Sequence, residues 1–430
     1  MQFHLFGTSS SELTARLQAL LERPGIEGFR ERAYWDTAKI PNATIGYGFN
    51  IQDGGDNLKL VLQELYGLSG QTITQFLNDF KDINRGIAGV RPQSKADFLQ
   101  NQAGLNSQLR SALDRLAFQD LGKGPFTINQ VQAREVERKI LEGYTLDGVN
   151  REGVTTSLQR FLSDQAGINI PSNSDEFVVL ASLYYNTPTL VTKNNDLLDA
   201  LRGGDRAEAW FQIRYKINGS NDTGVASRRY QEADLFSLYD NQPLTELEAR
   251  HVVKVVAKHQ FDIAAYEGVY SPAKGHSVSI SQALLPATNF LISHFGEGLS
   301  LQRLFVAISL GGDPIQGGDS NDLLLGDTGH DILIGGGGDD LLRGEAGKDA
   351  YIYNSGDGND TIVDTAADLN GDGQPDGDGL GVVVFDHQML QGGLKQQNES
   401  VYTSLDGQVT YQRSGADLVV NGTLTIKGWQ

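Results

Sequence analysis

From Gly317 the chain repeats itself every nine residues: GGDSNDLLL, then GDTGHDILI from Gly326, GGGGDDLLR from Gly335 and GEAGKDAYI from Gly344. A partial unit ends at Gln316, and a degenerate one, SGDGNDTIV, begins at Ser355. Asp322, Asp331, Asp340 and Asp349 hold one position of the period, and Leu324, Leu333, Leu342 and Tyr351 hold another. Such a recurrence specifies a solenoid, because each unit can bury its apolar residue only against its neighbours. Each Gly-rich hexad reads as a turn whose carbonyls face inward, and each following triplet reads as a short strand. Two units then complete one coil of a parallel β-roll, which stacks Asp322 near Asp340 and Asp331 near Asp349. A flexible Gly/Asp linker does not explain the strict pairing of the two positions.

Charge says what such a coil needs. Between Gly311 and Asp378 there are 15 Asp and one Glu against one Arg and one Lys, a net of −14, out of −19 for the whole chain. Stacked carboxylates repel unless a cation bridges them, and hard oxygen ligands suit Ca²⁺. Asp322, Asp331, Asp340, Asp349 and Asp360 are the candidate ligands. The segment resembles the repeats-in-toxin (RTX, hemolysin-type) family, whose nonapeptides bind several Ca²⁺ ions. A second acidic cluster, DLNGDGQPDGDG, starts at Asp368. Asp368, Asn370, Asp372 and Asp376 have the D-x-N-x-D-G spacing of a Ca²⁺ loop, with Gly373 at the tight turn. Gly379 stands where a bidentate Glu belongs, so an incomplete hand-type loop and a solvated acidic turn both remain open. Beyond it, VVVFD, SVYTSL, QVTYQ, DLVV and TLTIKGW alternate with Asp406-Gly407, Ser414-Gly415 and Asn421-Gly422, which reads as a β-sheet cap.

The rest of the chain has a different character. A length of 430 residues exceeds one hydrophobic core, so several domains are expected. Residues 1–240 carry 29 acidic and 25 basic side chains, close to balance. The overall acidity argues against nucleic acid as a partner. Without Cys there is neither a disulfide nor a thiolate metal site. No apolar run is long enough to span a bilayer, and the first residues read as Ser caps before an amphipathic helix rather than as a signal peptide. Leu13, Leu17, Leu20 and Leu21 form that helix's apolar face.

The chemistry-bearing stretch is IEGFRERAYWDTAKIPNATIGYG, Ile26 to Gly48. It delivers Glu27, Asp36 and Thr44 within one short excursion, the minimal kit for hydrolysing a glycosidic bond. One carboxylic acid protonates the leaving oxygen, while the other carboxylate holds water or supports positive charge at the anomeric carbon. Ile26, Phe29, Tyr34 and Trp35 supply apolar surroundings that favour a protonated Glu27. Taken singly, these residues are a helix-terminal Glu, a solvated Asp and a turn Thr; the spacing makes them a set.

The motif resembles the phage-type lysozymes, in which a Glu-Gly pair, an Asp separated from the Glu by eight residues and a Thr in a T-I-G-x-G turn form the active site. Here Glu27-Gly28, Asp36 and Thr44-Ile45-Gly46-Tyr47-Gly48 match, but seven residues separate Asp36 from Thr44, where the phage enzyme has five. Two later stretches extend the likeness. FVVLASLYYN, Phe177 to Asn186, resembles the buried central helix of that family, and GVASRRYQEADLF, Gly224 to Phe236, its closing helix with an Arg-Arg pair before a Glu. Arg228, Arg229 and Glu232 read most simply as a structural ion pair. Arg110, Arg115, Arg134 and Arg138 read as solvated faces, and Thr127 as the cap of a helix running to Gly143.

The expected organisation is multidomain: an α+β lysozyme-like domain over 1–240, mostly helical with a small β lobe, and a helical connector over 241–310. The β-roll follows over 311–366, and the acidic loop with its cap over 367–430. The resemblances imply a secreted bacterial muramidase acting on peptidoglycan with inversion, with Glu27 as general acid, Asp36 positioning the attacking water and Thr44 holding it. They also imply export by type I secretion machinery and folding of the roll by Ca²⁺ outside the cell. Chitin or chitosan as substrate on the same fold, a non-enzymatic Ca²⁺-dependent adhesin, and a toxin against competitors are the alternatives. Oligomeric state and ion number stay open.

Overall fold

The computed structural model describes residues 1–7, 9–23, 28–36, 42–51, 55–68, 73–84, 91–217, 223–270, 278–295, 305–308, 314–327, 329–364, 381–391, 394–395 and 400–428. The chain divides into two compact units, one built on Met1–Asn241 and the other on Gln242–Val269 with Val278–Gln430.

The first unit is helical around a small sheet. Ser9 caps the helix Ser10–Leu21 by accepting from the Glu12 N–H, and Leu17, Leu20 and Leu21 are buried beneath it. Three antiparallel strands follow, Arg30–Trp35, Ala43–Gly46 and Phe49–Asn50, in that order across the sheet. Gly46 takes a φ of +66°. A Cβ there would stand 2.5 Å from the Phe49 ring, so the T-I-G-Y-G turn needs glycine for both conformation and space.

The outer edge of the first strand is satisfied by the long helix Gln102–Leu121. Asn106 Oδ1 accepts from the Trp35 N–H (2.8 Å), and Arg110 Nε donates to the Ala33 carbonyl (3.1 Å). Arg32 pairs with Asp114 at 2.6 Å. Arg110, expected on a solvated face, is therefore a strand-edge partner that blunts an otherwise open ladder. The helix Gln130–Glu142 starts after Asn129 rather than Thr127, through a reciprocal capping box between Asn129 and Gln132. In the second half of the unit, Glu176 through Leu183 of the helix Asp175–Asn186 are buried on every side. That helix packs on Ser10–Leu21, Val154–Arg160 and Thr223–Phe236.

The second unit joins helices Glu246–Lys258, Gln260–Tyr270 and Ile280–Phe295 to two mixed sheets. In one sheet Phe305–Ile308, Asp322–Leu325, Leu341–Arg343 and Thr361–Val363 run parallel, in that order. In the other, Ile315–Gln316, Ile332–Ile334, Ala350–Tyr353 and Val382–Phe385 do the same. Successive repeats thus alternate between the sheets. Leu324, Leu333, Leu342 and Tyr351 share one buried core with Ile362 and Phe385.

Thr361–Val363 is followed in its sheet by Leu424–Ile426 and then an antiparallel meander back to Leu394–Lys395. Asn421 and Gly422 both take positive φ, the geometry of a tight hairpin turn. Arg250 of Glu246–Lys258 donates to the Gly326 carbonyl (3.2 Å) and to Glu345 Oε1 (2.9 Å), tying that helix to two repeat turns. Among the described residues no helix is long and apolar enough to cross a membrane.

Candidate functional site

Two groups of residues carry the chemistry. In the first unit, Asp36 follows the strand Arg30–Trp35, and Thr44 lies in Ala43–Gly46; Glu27 lies outside the described residues. The strands pair Tyr34 with Thr44 and Trp35 with Ala43, which sets Asp36 opposite Asn42. Because side chains alternate faces along a strand, Asp36 and Thr44 are diagonal neighbours on one face. A one-residue slip would have put Thr44 on the other.

Asn42 ties the two together. Its backbone N–H donates to Asp36 Oδ1 (2.8 Å) and its side-chain Nδ2 to Asp36 Oδ2 (3.1 Å). Its carbonyl accepts from the Asp36 N–H (2.9 Å) and from the buried Thr44 hydroxyl (3.2 Å). The result is an aimed carboxylate, half-buried, beside a buried hydroxyl. Nothing in the sequence pointed to Asn42, since it falls in the interval where this chain is longer than the motif it resembles.

The residues on either side of the Glu27 stretch are anchored. Glu22 holds Arg134 with two hydrogen bonds of 2.6 Å. The Phe29 ring packs at 5.4 Å from that of Tyr47. Tyr47 accepts from Gln130 Nε2 (2.9 Å) at its hydroxyl and from the Tyr185 hydroxyl (3.3 Å) at its carbonyl. Burial pushes the Tyr47 phenol above its ordinary value. Behind Tyr185, Glu232 is fully buried and accepts from the Ser182 hydroxyl (2.6 Å), Arg228 Nε (3.0 Å) and Arg229. Arg229 also donates to Asn186 Oδ1 at 2.8 Å. This network clamps Thr223–Phe236 to Asp175–Asn186.

In the second unit the acidic period becomes a ladder. The Asp322 N–H donates to Asp340 Oδ1 (2.8 Å), Asp331 to Asp349 Oδ1 (2.9 Å) and Asp340 to Asp360 Oδ1 (3.1 Å). All five carboxylates are buried. Asp340 Oδ2 has no hydrogen-bond partner among the described residues. Burial first, and then the charges of Asp360, Asp322 and Asp357, push Asp340 up to about 7 against the hydrogen bond from Asp322. Burial likewise raises Asp360 to about 7, with Asp357 and Asp339 adding to it.

The turns approach too closely for side chains: a Cβ on Gly336 would stand 2.2 Å from the Gly318 carbonyl oxygen. No three acidic or imidazole side chains converge among the described residues. The buried Asp340 Oδ2, left without a hydrogen-bond donor among the described residues, is a hard oxygen of the kind that fits Ca²⁺, and the remaining ligands would have to include turn carbonyls. The Asp368, Asn370, Asp372 and Asp376 cluster lies outside the described residues. Asp327 and Asp357, which the period does not single out, stabilise turns by accepting from the N–H groups of Gly329 (2.8 Å) and Asn354 (2.7 Å).

No curated protein and no solved structure matches the chain. The family model of the RTX calcium-binding nonapeptide repeat matches residues 311–351, in 4 copies. Asp322, Asp331, Asp340 and Asp349 of the buried ladder thus lie in a segment of RTX repeats, and Ca²⁺ is the ion that such repeats bind.

Proposed function

We propose that the first unit is a muramidase, cleaving the β-1,4 bond between N-acetylmuramic acid and N-acetylglucosamine in peptidoglycan, carried by a protein exported through type I secretion machinery. The observation that carries the reading is the common face of Asp36 and Thr44, with both Asp36 oxygens held by Asn42. Glu27 acts as the general acid, protonating the glycosidic oxygen. Asp36 takes a proton from the attacking water, whose oxygen Thr44 helps to hold. This division of labour gives inversion, which calls for carboxyl groups about 6.5–9.5 Å apart.

The second unit is read as a parallel β-roll that binds several Ca²⁺ ions. In the Ca²⁺-poor cytosol its carboxylates disfavour folding, and outside the cell metal binding supplies folding free energy. Purified peptidoglycan and chitin, digested side by side with Ca²⁺ present, test the assignment through the new reducing ends released. N-acetylmuramic acid ends from peptidoglycan support it. Release from chitin alone moves the substrate, and release from neither leaves a binding module.

A further inference from the structure

We infer that Asn42 is the positioning residue for Asp36, a role that rests on the hydrolase reading above. A carboxylate at a strand end turns about its last torsion in a broad, roughly two-fold well, so holding one oxygen does not aim it. Asn42 holds both, one from its backbone and one from its side chain. Through its carbonyl the same residue fixes the Asp36 backbone and the Thr44 hydroxyl. Four hydrogen bonds from one residue therefore lock the carboxylate to the hydroxyl with which it would share a water.

The backbone half of this clamp is available to any amino acid at the position, but the side-chain half is not. It takes a donor two atoms out from Cβ, which Asn provides; Gln overshoots by a methylene, and an ionised Asp only accepts. The long interval between Asp36 and Thr44 is what brings a residue of this kind opposite Asp36. Asn42 acts through Asp36 rather than on the sugar. Its loss consequently lowers turnover, which depends on alignment, and leaves substrate binding alone.

The test uses the full chain with Ca²⁺ and initial rates on soluble peptidoglycan fragments between about pH 5 and pH 8. Asn42→Ala is expected to lower kcat about tenfold with KM within about twofold and an unchanged melting temperature. Asn42→Asp is expected to fall further across this range, because the introduced carboxylate only accepts and repels Asp36. Wild-type kcat and pH profile in both variants, or a change in KM alone, overturns the inference. If the unmodified protein cleaves nothing, the hydrolase reading fails instead. The clamp is then read by hydrogen exchange at the Asn42 backbone and side-chain amides: protection lost in Asp36→Ala supports it, and protection unchanged refutes it.

Discussion

Asp322 donates its backbone N–H to the Oδ1 of Asp340, 2.8 Å away and 18 residues further along the chain. That single bond spends one carboxylate oxygen on holding two repeats in register. The other oxygen of Asp340 is left buried with no hydrogen-bond donor among the described residues. A buried acceptor of that kind is costly unless a cation or a proton meets it.

Replacing this group separates its two roles. Asn at position 340 keeps an oxygen for the Asp322 N–H but carries no charge. In chelator the Asp340→Asn protein is expected to melt higher than wild type, because a buried, repelled charge is gone. With saturating Ca²⁺ it is expected to melt lower, with Ca²⁺ affinity reduced about tenfold, because a ligand is gone. Calorimetry with and without Ca²⁺ checks the crossing. A variant whose melting temperature shifts in the same direction in both conditions would count against a metal at this position.

The pH dependence has a defined sign. Asp340 and Asp360 titrate near 7 in the folded, metal-free unit, against about 3.9 when unfolded. Their contribution is present in full below the unfolded value and is lost as pH rises through about 7. The metal-free second unit is therefore expected to melt higher at about pH 5 than at about pH 8. Ca²⁺ needs the ionised carboxylates, so its stabilisation should grow over the same interval. Melting curves in chelator and in Ca²⁺ across that range check both slopes.

In the first unit, Glu232 receives Ser182, Arg228 and Arg229 in a fully buried setting. Glu232→Ala removes the buried carboxylate that both guanidinium groups share and is expected to destabilise the unit by about 3–5 kcal/mol. Urea unfolding of the full chain in saturating Ca²⁺, followed by tryptophan fluorescence, measures this, since Trp35 and Trp210 both lie in the first unit. A loss below about 1 kcal/mol would mean that the network contributes little more than an exposed pair.

What the sequence made legible is what repeats or alternates. A period of nine places Asp322 against Asp340 because every unit faces the same neighbours, and Leu324, Leu333 and Leu342 fall into one core for the same reason. The insertion before Asp360 interrupts that period, yet its carboxylate still receives the Asp340 N–H. The hairpin was less legible. A spacing between Asp36 and Thr44 does not reveal which residues pair, and the pairing alone decides whether the two share a face. Arg110 was misread because its partner, the Ala33 carbonyl, is a backbone atom 77 residues away. The Arg228, Arg229 and Glu232 cluster was legible as an ion pair, but the Ser182 hydroxyl that completes it looks in sequence like any helix serine.

The most direct measurement compares clearing of a peptidoglycan suspension by the Ca²⁺-loaded wild type and by Glu27→Gln, with circular dichroism verifying that both are folded. Gln keeps the shape of the side chain and cannot give up the proton. Rapid clearing by the wild type and a rate lower by at least about a thousandfold in the variant is the expected result. Comparable clearing by both proteins would contradict it.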